Sequence, residues 1–293
     1  MRFALFKVLG MKPFSYFEPT TLEGALDLLQ QYGERAKILA GGTDLVVQMK
    51  QGKIKPEAVI SLSRIPGLDI IKSDSEIRIG PLVPLSRIAA HPSFSGRLAI
   101  LREAALAVGD GQIRNAATIG GNIANASPSA DMPPALLALG AKVKLRKKGR
   151  ERVLGLDEFC LGPFCTHLEG EELIAEVLIS PIPEGSGAYV WLPKRTAVDE
   201  TLVGVGAWLL TDPRNKTCWR ASLALSSVAP VPLRCQETES FLKGKSLSQE
   251  TFRRAGEIAA AEASPRSRAD YRRALVALLT EQALEQAWRR APS

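Results

Sequence analysis

Between Ala117 and Asp131 the chain reads ATIGGNIANASPSAD, fifteen residues in which two isoleucines are the only large side chains. Some eighty residues earlier, Ile38–Leu45 reads ILAGGTDL. Such stretches cannot fill a core on their own. Glycine lets the backbone adopt φ > 0 and lets a neighbour or a ligand lie against it. Successive backbone N–H groups in such a turn form a concavity that binds anions. The hydroxyls of Thr43 and Thr118 and the amides of Asn122 and Asn125 add further hydrogen-bonding groups. Two such loops meeting in space would hold a diphosphate from both sides without a lysine or arginine. The other reading is a pair of tight strand-to-helix turns, and composition alone fits both.

The surrounding pattern places these loops. Thr20-Thr-Leu-Glu23 is a capping-box signature, and Leu22, Ala25, Leu26, Leu28 and Leu29 follow at helical spacing, which predicts a helix over 22–32. Lys37–Leu39 reads as a strand entering the first loop, and 45–50 as helix or turn. Strands are expected at 59–63 and 76–79, a helix over 85–90 that His91-Pro92 interrupts, and a helix over 97–108. The Gly/Ala/Asn-rich stretch that follows Val108 reads as loop, and Pro133-Pro134 open a helix through Leu139. Lys142–Leu156 alternates Val143 and Leu145 with Lys144 and Arg146 and turns at Gly149-Arg150, the pattern of a hairpin with a solvated outer face. A strand over 173–179 leads into the Pro/Gly/Ser-rich linker 180–187. Three apolar strands (189–192, 202–210, 219–228) and two helices (248–263, 269–290) complete the chain. Strands followed by helices argue for an α+β unit at the C-terminal end.

Common chemistries find little support. His91 and His167 are the only histidines, so a histidine-rich metal site or a Ser-His-Asp triad lacks members. Cys160 and Cys165 have part of a plant-type iron–sulfur spacing without its continuation. Gly244-Lys245-Ser246 lacks the first glycine of a P-loop, and Gly204-Val-Gly206 has Leu209 where a dinucleotide fingerprint needs glycine. The four cysteines form no paired framework, and MRFALFKVLG makes a poor signal peptide, so a cytoplasmic protein is expected. The net charge of +7 invites a nucleic-acid reading, but much of the local excess lies in the hairpin, where a solvated face explains it.

Ala40–Leu45 and Ala117–Asp131 resemble the two flavin-binding motifs of the FAD subunit of molybdenum hydroxylases, the family of xanthine dehydrogenase and aerobic carbon monoxide dehydrogenase. The resemblance extends to FSYFEPTTLEGALDLL at Phe14–Leu29, VAPVPLRCQETESFLKGKSL at Val228–Leu247 and DYRRALVALLTEQAL at Asp270–Leu284, and so covers nearly everything after Met11. Residues 1–10 precede it and are expected to be dispensable. The fold that the resemblance implies is α+β: a two-lobed FAD-binding domain of the vanillyl-alcohol-oxidase (PCMH) type over 1–180, its lobes meeting near residue 60, then a smaller α+β domain over 188–293. Carried over position by position, FAD would meet Ile38, Leu39, Ala40, Gly41, Gly42, Thr43, Asp44 and Leu45 in the first loop. In the second it would meet Thr118, Ile119, Gly120, Gly121 and Asn122. Gly109, Asp131 and Ile174 complete the implied site. The family's lysine after the linker falls on Trp191 in an ungapped reading, with Lys194 three residues on, and either position stays open.

The implied role is electron transfer. A large subunit with molybdopterin hydroxylates substrate, a small subunit with two [2Fe-2S] clusters carries the electrons, and FAD in this chain passes them to an external acceptor. A dimer of heterotrimers is expected, with no nucleic-acid partner and no membrane span. The rivals are a self-contained flavin oxidase of the same fold and a non-enzymatic basic scaffold that docks through the 142–152 hairpin. Substrate and acceptor are not legible in this chain.

Overall fold

A computed structural model describes residues 11–182, 184–195, 200–212, 214 and 216–291. The expectation for residues 1–10 lies outside the described residues. The first unit comprises β1 (Ser15–Phe17), α1 (Leu22–Tyr32), β2 (Ala36–Leu39), α2 (Leu45–Lys50) and β3 (Ala58–Ser61). Its sheet has the order β1-β3-β2 with both pairings parallel. Parallel pairing requires crossovers, and α1 supplies one. Ala25, Leu26 and Leu29 are the buried face of α1 and join Ile60 and Leu62 in a small core. The helix spans the expected residues, with Thr21 as its N-cap, whose hydroxyl accepts from Gly24 N at 3.1 Å.

The second unit carries β4 (Ile71–Ser73), β5 (Ile77–Ile79), α3 (Leu85–Ala90), α4 (Ala99–Ala107), α5 (Gly111–Ala116), α6 (Ile119–Ala124) and α7 (Met132–Ala138). It continues with β6 (Lys142–Lys147), β7 (Arg150–Gly155), α8 (Leu156–Phe159), β8 (Cys160–Gly162), β9 (Cys165–Thr166) and β10 (Leu173–Ile179). A five-stranded antiparallel sheet, β4-β5-β10-β6-β7, backs the helices. Two expectations change here. The region read as loop holds two short helices, α5 and α6, each capped by a side chain: Asp110 accepts from Ile113 N and Thr118 from Gly121 N. The 97–108 helix is shorter, because Gly96–Leu98 forms a 3-10 turn before α4 begins.

The basic hairpin forms as β6 and β7, and its cations from Lys144 to Arg152 stand in ion pairs. Lys148 pairs with Asp27 (2.7 Å) and Arg146 with Glu23 (3.7 Å), both on α1. Lys147 and Arg150 meet Glu169, and Arg152 holds the buried Glu172 at 2.6 Å. The hairpin therefore ties the second unit to the first.

In the third unit, β11 (Ser186–Pro193), β12 (Thr201–Thr211), β13 (Cys218–Ser226) and β14 (Leu233–Arg234) form an antiparallel sheet in that order. The helices α9 (Gln236–Leu242), α10 (Gln249–Glu262) and α11 (Ala269–Arg289) follow. Phe252, Ala255, Val276 and Leu284 of α10 and α11 share a core with Val203, Val205 and Leu223 of the sheet. Tyr189, Trp208 and Ala224 of the same sheet pack instead into the core of the second unit, with Leu136 and Leu137 of α7. Every residue of α7 is consequently buried, and Pro133 and Pro134 cost it little because they stand in its first turn. No helix among the described residues is long and apolar enough to cross a membrane.

Candidate functional site

The two small-residue segments meet. Gly41 packs so closely on the end of α5 that an added Cβ would lie 1.8 Å from the carbonyl oxygen of Ala116. Gln48 of α2 reaches Asn125, just past α6, at 3.5 Å. They do not contribute alike, however. In the second segment the backbone donors are already used: Ile119 N donates to Val83 O, Gly120 N to Pro81 O, Gly121 N to the Thr118 hydroxyl and Asn122 N to Thr118 O, at 2.9–3.2 Å. The N–H groups of Ile119 to Asn122 are therefore spent on acceptors within the chain. Ile119 is fully buried in the core, and Gly120 lies against Pro81. What the segment still offers is the half-buried surface of Gly121 and Asn122 and one orphan: Asn122 Oδ1 is buried without a protein partner. Buried polar atoms are rarely left so.

The first loop is the opposite case. Among the described residues, the N–H groups of Gly41, Gly42, Thr43, Asp44 and Leu45 donate to no acceptor. Gly42, at φ 74°, turns the chain through the left-handed region. Five consecutive unpaired donors on a half-exposed turn that runs into α2 suit an anion such as a diphosphate. Ile38 and Leu39 end β2 just before it and are half-buried. Thus a donor-rich loop and an unpartnered buried amide oxygen lie on adjoining segments, which fits a dinucleotide with a phosphate bridge. Gly109 also has positive φ (51°), and its carbonyl accepts from Arg114 Nη1 at 2.6 Å, which fixes the turn into α5.

Asp131, at the N-cap of α7, is 5% exposed. Its Oδ1 accepts from Tyr189 Oη at 2.7 Å and from Thr201 Oγ1 at 2.6 Å. Burial pushes its carboxyl up to about 6, against the opposing pull of those two hydrogen bonds. Burial, and then the charge of Asp131, also raise the Tyr189 phenol. Reading the sequence did not single out Tyr189 or Thr201. The signal was the strand pair Gly204-Val-Gly206. A Cβ on Gly204 would meet Tyr189 Oη at 2.1 Å, and one on Gly206 the Pro134 carbonyl oxygen at 2.8 Å. Glycine inside a strand marks close approach of another group.

Ile174 is buried in β10, paired with Leu145. Lys194 is exposed beyond β11 and pairs with Glu200, whereas Trp191 stacks on Tyr189 with ring centroids 6.0 Å apart. Cys160 is buried and pushed up to about 11 by that burial, while Cys165 is exposed. Among the described residues, no three His, Cys, Asp or Glu side chains gather as a metal site.

Residues 12–182 match the family model described as the FAD binding domain in molybdopterin dehydrogenase, and residues 188–287 match the CO dehydrogenase flavoprotein C-terminal domain. The chain is 34% identical to the carbon monoxide dehydrogenase medium chain of Hydrogenophaga pseudoflava, over 94% of this chain and 98% of that one. It is also 34% identical to the 6-hydroxypseudooxynicotine dehydrogenase complex subunit alpha of Paenarthrobacter nicotinovorans, covering 96% and 97% of the two chains. The solved carbon monoxide dehydrogenase of H. pseudoflava superposes with a TM-score of 0.89, over 95% of this chain and 98% of that chain at 34% identity. The chain belongs to the FAD subunits of molybdenum hydroxylases of the carbon monoxide dehydrogenase and xanthine dehydrogenase type, the flavoprotein components of oxidoreductase complexes.

Proposed function

We propose that this chain receives electrons from the [2Fe-2S] clusters of a small partner subunit and delivers them through FAD to an external acceptor. A large molybdopterin subunit carries out the hydroxylation, and the complex is a dimer of heterotrimers. The observation that carries this reading is the run of five unpaired N–H groups from Gly41 to Leu45 beside the unpartnered Asn122 oxygen. When bound, FAD supplies both one-electron and hydride chemistry. This chain's own part is to bind and orient it. The N–H groups of Gly41–Leu45 take the diphosphate, Asn122 and the exposed edge of Gly121 line the opposite wall, and Asp131 presents its carboxylate from the N-terminus of α7. Gly109 shapes the turn before that wall, and Ile38, Leu39 and Ala40 set the entry to the first loop. Lys194, held by Glu200, remains a candidate contact alongside Trp191.

The scaffold alternative loses its main support, because the hairpin cations are paired with carboxylates of this same chain. The test is purification of the chain with its neighbouring gene products. Stoichiometric FAD on this chain, with molybdenum and iron in the co-purifying subunits and substrate-dependent bleaching of the flavin, is expected. A colourless protein that takes up no added FAD would overturn the reading. A yellow protein that bleaches with substrate in the absence of any partner would favour a self-contained oxidase.

A further inference from the structure

The carboxylate of Asp131 is held from outside the FAD-binding domain. Tyr189 lies on β11 and Thr201 on β12, both in the stretch that matches the C-terminal domain. The same sheet grips the chain a second time nearby: Ser227 N donates to Pro128 O at 2.8 Å, and the Ser227 hydroxyl donates to Thr201 O at 2.7 Å. The short run from Asn125 to Asp131 thus leaves α6 and enters α7 between two anchor points supplied by another domain. It also contains Ala126, whose φ of 45° is left-handed, a conformation that a non-glycine residue keeps only when its surroundings enforce it. The phenol and the hydroxyl are buried, and both spend their hydrogen on one oxygen of one carboxylate. Hydrogen bonds to a charged acceptor are the strong ones.

Resting on the flavin reading above, we propose that Tyr189 and Thr201 are positioning residues for FAD. By fixing Asp131 and the Asn125–Asp131 run, they make flavin binding in one domain depend on the sheet of the other. A second domain contact provides the contrast. Arg290 pairs with Glu103 of α4, and Glu103 Oε2 accepts from Tyr189 N, yet neither residue bonds to Asp131.

The experiment uses the full chain, stripped of flavin and titrated with FAD while protein fluorescence is followed. Tyr189→Phe and Thr201→Val remove only the two hydroxyls, and the double variant is expected to raise the FAD dissociation constant at least tenfold. Thr201→Ser, which keeps its hydroxyl, should stay within about threefold of wild type. In the flavin-free protein, hydrogen exchange at the amides of residues 126–131 should quicken at least tenfold in the double variant. Arg290→Gln removes the contact between α11 and α4 while leaving the Glu103–Tyr189 bond and Asp131 in place, and it should leave both readings near wild type. Equal loss of affinity in Arg290→Gln and in the hydroxyl variants would reduce Tyr189 and Thr201 to general packing and overturn the proposal. So would a double variant that binds FAD like wild type. Wild-type protein that takes up no FAD would show itself before any variant is compared; it would remove the flavin reading, and the positioning role with it.

Discussion

Replacing Asp131 by asparagine should stabilise the flavin-free protein, and only on the alkaline side. The carboxyl is 5% exposed and its titration is displaced from the usual 3.8 to about 6. The folded protein therefore holds the Asp131 proton more tightly than the unfolded chain does. The stabilising contribution of this group is complete below pH 3.8 and is lost as pH rises through 6. At pH 8 the ionised, buried carboxylate costs about 3 kcal/mol relative to its neutral form, at roughly 1.4 kcal/mol per pH unit. Asparagine keeps an oxygen for Tyr189 and Thr201 and has no charge to desolvate. Urea unfolding of the flavin-free proteins should thus favour Asp131→Asn by ~3 kcal/mol at pH 8, by about half of that or less near pH 5, and by almost nothing below pH 4. The same variant should bind FAD more weakly, because a carboxylate kept at this cost is one the site uses. Equal stability differences at pH 8 and pH 4, or a variant less stable than wild type at pH 8, would refute the reasoning.

Four further outcomes follow from the geometry of the loops and the hairpin. Gly42→Val places a β-branched residue at φ 74° in the middle of the donor run, so FAD binding should fall by orders of magnitude while circular dichroism stays near wild type. Gly121→Val should be milder, since Gly121 has helical backbone in α6 and a Cβ there meets only the Thr118 hydroxyl, at 3.1 Å; a spectral titration with FAD ranks the two. Asn122→Ala removes an oxygen that has no protein partner, so the melting temperature of the flavin-free protein should hold or rise while FAD affinity falls; a drop in both would mean the amide is structural. Lys147→Ala with Lys148→Ala breaks two ion pairs at the surface, and FAD stoichiometry should stay at the wild-type value, with no more than about 1 kcal/mol lost per pair in a salt-dependent way.

Much of the fold is written locally. The helix over 22–32 begins and ends where periodicity and capping place it, because it buries one apolar face, and the strand over 173–179 is as read because its apolar run is buried in two cores. The hairpin at 142–155 follows from alternation about a Gly-Arg turn. Reading fails where the competing signals are themselves short. The run ATIGGNIANAS contains glycine, asparagine and serine, which read as loop, yet Thr118 caps a helix there and Val83 and Pro81 receive its first donors. Tertiary contacts with residues some thirty-five positions earlier decide that helix, and no local window contains them. The helix over 236–242 is missed for a similar reason: Glu262 of α10 accepts from the N–H groups of Glu237 and Thr238 and so caps it from a distance.

The site divides in the same way. That two glycine-rich segments should face each other is one of two readings that composition allows, and the family resemblance favours it. Their division of labour is not legible, because a glycine-rich string looks alike whether its N–H groups are free or already spent. At Gly41–Leu45 the chain runs from strand to helix, and its N–H groups point to no acceptor among the described residues, so the donors stay available. At Ile119–Asn122 they are consumed: Val83 and Pro81 take the first two, and the hydroxyl and carbonyl of Thr118 take the next two. The same reasoning gives meaning to Gly204 and Gly206, which fail as a nucleotide fingerprint. Both are small because α7 and the Tyr189 phenol press against β12, and that pressure brings the C-terminal sheet to Asp131. A strand glycine that serves no turn therefore signalled the domain contact, and with it the two hydroxyls on which we expect the flavin wall to depend.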